Sequence, residues 1–163
     1  MMYLEKYSLL YCWIHKAASS SWNRIFYQKI NKKVKDSSLH HAAEAFRPNA
    51  KTDLQDLFNS SKISFLFVRH PFERLVSAFR DKFELGKKTD WCYKMYAGDI
   101  LNISTPLFKK KDDAYMKFVY SKVRNLERPN FPQFISYLLR IPVMEFNDHW
   151  SPYWLHCQVC HNR

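Results

Sequence analysis

Two short segments of the chain carry residues that could bind an anion. The first, His15 to Arg24, reads HKAASSSWNR, in which a lysine, small residues and three serines follow an apolar run. The second, Phe65 to Phe83, reads FLFVRHPFERLVSAFRDKF, with Arg69 directly after an apolar run and Ser77 later in the segment. A lysine supplies a point charge, a serine hydroxyl donates a hydrogen bond, and a planar guanidinium can bind a phosphate through two parallel hydrogen bonds. Both segments therefore predict phosphate binding.

The residues around each segment predict the elements that hold it. An apolar run over 8–14 favours a buried strand, followed by a helix over 19–30 whose first N–H groups have no partner one turn earlier. A second strand is predicted over 63–68, and Pro71 suits the first turn of a helix over 71–85. Ligands of open α/β sheets bind at the carboxyl ends of the strands, so we expect the two segments to share that edge.

The alternation of strands and helices predicts an α/β fold, with a P-loop-like parallel sheet flanked by helices and a helix-rich C-terminal part. We expect residues 1–163 to form a single domain. Further helices are predicted over 52–59 and 112–124, and from Pro132 to about Pro142. The helix over 71–85 is expected to bury one apolar face and to end at Gly86; the predicted face comprises Phe72, Leu75, Val76, Phe79 and Phe83.

The two segments resemble the paired nucleotide motifs of the Golgi carbohydrate sulfotransferases, especially the chondroitin, dermatan and HNK-1-type enzymes. RHPFERLVSAFRDKF is similar to their 3′-phosphate motif, and HKAASSSWNR resembles their 5′-phosphosulfate loop, which usually has proline at His15 and often cysteine at Ser19. A third stretch, NDHWSPYWLHCQVCH over 147–161, resembles the family's Asn-acid-His-Trp segment and the Cys-x-x-Cys that follows it. Together the motifs cover nearly the whole chain in the right order.

The resemblance implies transfer of a sulfuryl group from the co-substrate 3′-phosphoadenosine 5′-phosphosulfate to a hydroxyl of an acidic glycan such as chondroitin or dermatan. No metal is required by this scheme. Lys16 is the implied catalytic cation beside the bridging oxygen. The implied nucleotide-binding residues are Lys16, Ala17, Ala18, Ser19, Ser20, Ser21, Arg69, Arg74 and Ser77. Arg74 has an alternative structural role, in which it pairs with Glu73, Asp81 or another helix.

The acceptor hydroxyl also needs a base, and a histidine suits neutral or mildly acidic conditions. Three histidines compete for this role: His40, His41 and His149. The similar heparan sulfate 2-O-sulfotransferases place a catalytic histidine just before the segment that leads to the Arg-bearing strand. We therefore select His41 as the expected base.

The composition agrees with an acidic partner. The chain has 163 residues, 47% hydrophobic content and a formal net charge of +11, which a nucleotide, an acidic glycan or a nucleic acid could all match. The sequence contains neither the aromatic RNP pattern nor the KH-type loop of common RNA-binding modules. It also lacks the Gly-rich Walker loop of a nucleotide kinase. We therefore expect no nucleic-acid partner. An inactive sulfotransferase remnant remains an alternative.

The family resemblance also implies a place in the cell. Members are anchored in the Golgi by an N-terminal helix and extend beyond the Cys-x-x-Cys, so we expect a Golgi-lumenal, type II protein of which this chain is a partial copy. No stretch here approaches the roughly 20 apolar residues of a membrane span. Membrane attachment is expected only through an anchor outside this chain.

The four cysteines are Cys12, Cys92, Cys157 and Cys160. A single Cys-x-x-Cys beside histidines could indicate zinc, but a structural zinc site usually needs a second ligand pair at suitable spacing. We expect disulfides instead, with Cys12 as a buried thiol inside the first strand.

Overall fold

The computed structural model describes residues 1–31, 54–102, 117, 121 and 127–157. The chain divides into two compact units, Met1–His70 with Ser151–Arg163 and Pro71–Trp150. That residues 1–163 form one domain stays a prediction. Within the described ranges, no helix is both long enough and apolar enough to cross a membrane.

The first unit contains a three-stranded mixed sheet. Its strands are β1 (Met2–Leu4), β2 (Leu9–Cys12) and β3 (Ile63–Leu66), in the order β1-β2-β3. β2 and β3 pair in parallel as predicted, with Cys12 opposite Leu66. The prediction of a wholly parallel sheet is wrong, because β1 pairs antiparallel with β2. β1 has only three residues, too few to show a strand period, and Ser8 turns the chain with φ 47 without the usual glycine.

Two helices of this unit match the predicted positions. They are α1 (Ser19–Asn31) and α2 (Leu54–Ser60), the second of which begins at the edge of the described residues. α1 covers one face of the sheet through aromatic contacts: the fully buried Tyr11 lies between Phe26 and Phe65, with ring centroids 5.2 and 5.1 Å away. Trp22 of α1 stacks on Phe67 at 4.2 Å. Trp22 of the first motif therefore belongs to the aromatic core that supports the loop before it.

The second unit is helical, as predicted for the later part of the chain. It contains α3 (Pro71–Phe79), a π-helical turn (Arg80–Glu84), α4 (Trp91–Ile100) and α5 (Phe131–Leu138). α5 begins with a capping box between Asn130 and Gln133 and ends before the expected boundary near Pro142. The helix predicted over 112–124 lies outside the described residues, apart from 117 and 121.

The buried face of α3 differs from the predicted apolar face. Phe79 and Phe83 are buried, but Phe72 is 74% exposed and Val76 is 39% exposed. The face instead includes Arg74, which is 4% exposed because its guanidinium has an acceptor inside the unit. Apolar spacing alone could not reveal a buried arginine. The helical segment ends before Gly86, where an added Cβ would clash with the carbonyl oxygen of Asp81.

Candidate functional site

The loop between β2 and α1 holds two non-glycine residues in the left-handed region of backbone conformation. Lys16 has φ 65 and Ala18 has φ 59. For residues with a Cβ this conformation costs about 1–2 kcal/mol each, so the surrounding structure must enforce it. Ala17, between them, is buried and packs beside Ile14 and Cys12. The methyl group of Ala17 therefore anchors the loop while the backbone on either side is bent.

The N-terminus of α1 completes this loop. The amide of Trp22 donates to the carbonyl of Ala18 at 3.1 Å, the first bond of the helical ladder. The amides of Ser19, Ser20 and Ser21 thus have no acceptor one turn earlier in the helix, and the helix dipole adds positive potential. Ser20 and Ser21 are exposed, whereas Ser19 is buried. Together with Lys16, these groups form a small site suited to an anion.

Arg69 lies beyond the end of β3 and is exposed. The hydroxyl of Tyr153 fixes its backbone twice: the amide of Arg69 donates to the Tyr153 oxygen at 2.8 Å, and the hydroxyl donates to the carbonyl of Arg69 at 2.8 Å. The sequence reasoning did not select Tyr153. The sequence feature that could have indicated Tyr153 is its position in the third segment, shortly after Trp150 and Pro152.

A disulfide joins Cys12, the last residue of β2, to Cys157, with the two Cα atoms 6.0 Å apart. The expectation of disulfides is confirmed, and the prediction that Cys12 is a thiol is wrong; its partner is 145 residues away in sequence, beyond any local pattern. Cys160 lies outside the described residues. Within those residues, no three His, Cys, Asp or Glu side chains cluster in a way that could hold a metal ion.

Cys92, the free thiol among the described cysteines, is not suited to nucleophilic chemistry. It is 5% exposed, and burial raises its pKa to about 12. A cysteine reacts as its thiolate, and such a pKa leaves almost none of that form near neutral pH. Cys92 therefore belongs to the core of the second unit rather than to a site.

Two predicted nucleotide-binding residues lie on α3 in the second unit. Nη2 of Arg74 donates to the main-chain carbonyl of Asp148 at 2.8 Å, a contact that matches the structural role considered for this residue. Ser77 is half-buried on the same helix. Contact of Arg74 and Ser77 with a nucleotide stays a prediction.

Of the three candidate bases, only His149 belongs to the described residues, because His40 and His41 lie outside them. Nδ1 of His149 lies 2.6 Å from Oδ1 of Asn147, which also accepts the His149 amide at 3.1 Å. Nδ2 of Asn147 in turn donates to the hydroxyl of Tyr96 at 3.3 Å. An amide oxygen can only accept, so Nδ1 carries a hydrogen and Nε2 is the basic nitrogen of the neutral ring. Asn147 thus favours the tautomer with the hydrogen on Nδ1.

Comparison with known proteins identifies the family. The sequence matches the profile of the sulfotransferase family over residues 1–163. The chain belongs to the sulfotransferase family. It is 27% identical to carbohydrate sulfotransferase 11 of Rattus norvegicus over 173 residues, covering 96% of this chain and 45% of the relative. It is 30% identical to carbohydrate sulfotransferase 8 of Homo sapiens over 166 residues, covering 96% of this chain and 36% of that relative.

A third relative, carbohydrate sulfotransferase 14 of Homo sapiens, is 29% identical over 174 residues, covering 96% of this chain and 39% of the relative. The chain thus spans less than half the length of these relatives. No solved structure gives a significant match. The family assignment therefore rests on sequence, and the loop geometry is an independent observation.

The bent loop leads to a prediction at Ala18. Ala18→Gly should leave the free energy of unfolding within about 0.5 kcal/mol, because relief of the left-handed strain offsets the extra flexibility of glycine in the unfolded chain. Ala18→Val should lower it by about 1–3 kcal/mol, since a β-branched side chain is strongly disfavoured at positive φ. Urea denaturation measures both changes.

Gln28→Val is the matched control, because Gln28 is exposed on α1 and the same side chain there costs only helix propensity, about 0.5 kcal/mol. Equal losses for Ala18→Val and Gln28→Val would contradict the strained conformation of Ala18.

Proposed function

We propose that this chain binds 3′-phosphoadenosine 5′-phosphosulfate and transfers its sulfuryl group to a hydroxyl of an acidic glycan. The observation that carries the proposal is the loop from Lys16 to Ser21, where a lysine and a helix N-terminus lie together after a parallel strand. This arrangement supports the proposal of a P-loop-like fold, in which left-handed Lys16 and Ala18 would stand where a Walker loop has glycines. Membership of the sulfotransferase family supports the choice of a sulfated nucleotide.

Catalysis in this scheme is mainly positioning and charge neutralisation. As the bond from sulfur to the acceptor oxygen forms, the bond from sulfur to the bridging oxygen of the 5′-phosphate breaks, and adenosine 3′,5′-bisphosphate leaves. Lys16 would stabilise the negative charge that develops on that bridging oxygen. The amides of Ser19 to Ser21 would hold the 5′-phosphate, and small Ala17 and Ala18 would keep the loop backbone accessible.

The second motif is proposed to bind the 3′-phosphate. Arg69 would provide the bidentate contact and Ser77 a further hydrogen bond, as the sequence motif implies. Arg74 keeps a proposed role in the same motif, although its observed contact with Asp148 also supports a structural one. Arg69 itself is exposed.

The proton of the acceptor hydroxyl would pass to a histidine. We keep His41 as the proposed base from the family resemblance. His149 is the alternative, supported by Asn147, which leaves Nε2 as its basic nitrogen. For either residue, proton removal as the new bond forms contributes about 10² to 10⁴ in rate.

The acceptor and location are proposed from the family alone. An acidic glycan, of the chondroitin or dermatan class, fits the net charge of +11, which would draw in a polyanion. From the same resemblance we propose that the protein acts in the Golgi lumen and is attached to the membrane through a segment outside this chain. A lumenal location agrees with the Cys12–Cys157 disulfide, because disulfides persist in oxidising compartments.

Arg69→Ala should weaken binding of adenosine 3′,5′-bisphosphate at least tenfold, because loss of a charge-assisted hydrogen bond costs about 1.5–3 kcal/mol. Binding of adenosine 5′-phosphate, which lacks the 3′-phosphate, should hardly change. Titration calorimetry with both nucleotides measures the difference. Arg140→Ala is the control, since Arg140 is exposed, lies outside both motifs and donates to Oδ1 of Asn102. Unchanged affinity for the bisphosphate in Arg69→Ala would remove Arg69 from the site.

The proposed reaction predicts transfer of radiolabelled sulfate from the activated nucleotide to chondroitin, dermatan or desulfated heparan by the natural protein. Lys16→Ala should reduce this transfer on the order of 10²-fold or more, because the bridging oxygen loses its cation. Nucleotide binding without transfer to any acceptor would favour the inactive-remnant alternative. Failure to bind the nucleotide at all would favour a binding module for another polyanion.

The choice of base is tested in the same transfer assay. His41→Ala should lower turnover by a factor on the order of 10² to 10⁴ while nucleotide affinity stays nearly unchanged, because the base contacts only the acceptor. His40→Ala and His149→Ala are the matched comparisons. Full turnover in His41→Ala together with loss in His149→Ala would assign the base to the Asn147–Trp150 segment.

A further inference from the structure

The backbone of Arg69 lacks the support that a strand would give it. β3 ends at Leu66, so Arg69 lies beyond the last residue paired with β2. Pro71, two residues later, has no N–H to contribute to a turn. An exposed segment of this kind would ordinarily sample several conformations, and the direction of its side chain would vary with them.

Tyr153 supplies the missing constraint. Its hydroxyl accepts the Arg69 amide and donates to the Arg69 carbonyl, both at 2.8 Å. The two bonds hold the peptide groups on either side of one Cα, which fixes the direction of the Cα–Cβ bond. A side-chain hydroxyl thereby does for Arg69 what a neighbouring strand does for a residue inside the sheet.

The segment that carries Tyr153 is itself fixed to the first motif. Its last described residue, Cys157, is bonded to Cys12 at the end of β2. Tyr153 and Cys157 both pack against the buried group formed by Cys12, Ile14 and Ala17, which leads into the strained loop. One short segment therefore contacts both Arg69 and the residues that lead into the Lys16 loop.

The segment is also held in shape from within. Oγ of Ser151, which is 2% exposed, lies 2.8 Å from Nε2 of His156. The amide of His156 donates to the carbonyl of Tyr153 at 2.9 Å, and residues Tyr153–Leu155 form a 3₁₀ turn. A compact turn with a covalent end can hold the Tyr153 hydroxyl in place with little loss of conformational entropy on binding.

We infer that Ser151–Cys157, named here the tyrosine clip, sets the geometry of the nucleotide site, with Tyr153 as the positioning residue of Arg69. The clip rests on the proposed function, because its effect is expressed through recognition of a 3′-phosphate. Tyr153 itself does not contact the reacting atoms in this scheme. It acts only through the backbone of Arg69.

The test compares two nucleotides on Tyr153→Phe, which keeps the packed ring and removes only the hydroxyl. Affinity for adenosine 3′,5′-bisphosphate should fall about tenfold, because the loss of two backbone hydrogen bonds leaves Arg69 poorly oriented. Affinity for adenosine 5′-phosphate should stay within about twofold, since the Lys16 loop is intact. Tyr7→Phe is the control, because it removes another partly exposed tyrosine hydroxyl of the same unit and should change neither affinity.

A double mutant separates positioning from general stability. In the Arg69→Ala background, Tyr153→Phe should cause no further loss of bisphosphate affinity, because the side chain that it positions is absent. Equal proportional losses for both nucleotides, or full additivity of the two substitutions, would overturn the clip and leave the 3′-phosphate assignment intact. Equal binding of the two nucleotides by the unmodified protein would instead overturn the 3′-phosphate assignment, and the clip with it.

Amide hydrogen exchange tests the clip without any substitution. The Arg69 amide should exchange at least about tenfold more slowly than an unstructured peptide, since it donates to Tyr153. In Tyr153→Phe this protection should disappear while the amides of β2 stay protected. Exchange of the Arg69 amide at the unstructured rate in the unmodified protein would overturn the clip.

Discussion

Parallel pairing of β2 with β3 is the constraint on which the proposed site depends. With Cys12 opposite Leu66, the two strands end at one edge of the sheet, and the Lys16 loop and Arg69 both follow from that edge. The register is maintained by side chains as well as by the ladder, because Tyr11 stacks on Phe65 across the pair at 5.1 Å. A slip by one residue would turn Tyr11 away from α1 and break this aromatic core.

The proposed phosphate site contains features with an unfavourable free energy, which other contacts in the same unit offset. The left-handed backbone of Lys16 and Ala18 costs free energy, and the amides at the start of α1 concentrate positive potential. Aromatic packing between α1 and the sheet and the disulfide at Cys12 supply the opposing stabilisation. The proposed phosphate would reduce the positive potential at the start of α1, as expected of a binding site that is not selected for maximal stability alone.

The sequence was sufficient for the elements around the site, since apolar runs, Pro71 and the serine-rich helix start are local signals that placed β2, α1, β3 and α3. It was insufficient where distant residues decide the outcome. The burial of Arg74 on α3 depends on the carbonyl of Asp148, and the buried face of that helix therefore includes Arg74 and leaves out Phe72 and Val76. The contact between Tyr153 and Arg69 joins residues 84 apart, and no spacing rule connects them. β1 escaped detection because three residues do not establish a period.

The Cys12–Cys157 bond has a consequence for how the protein is made. During synthesis on the ribosome the Lys16 loop is made early. Cys157, which forms the disulfide with Cys12 before that loop, follows 145 residues after Cys12. Closing a loop of this length stabilises the folded chain by about 5 kcal/mol in the chain-entropy description, so the newly made protein lacks that stabilisation until oxidation. Cysteines stay reduced in compartments rich in thiols, whereas they form disulfides in oxidising compartments. Covalent anchoring of the Lys16 loop is thus coupled to exposure of the newly made chain to oxidising conditions.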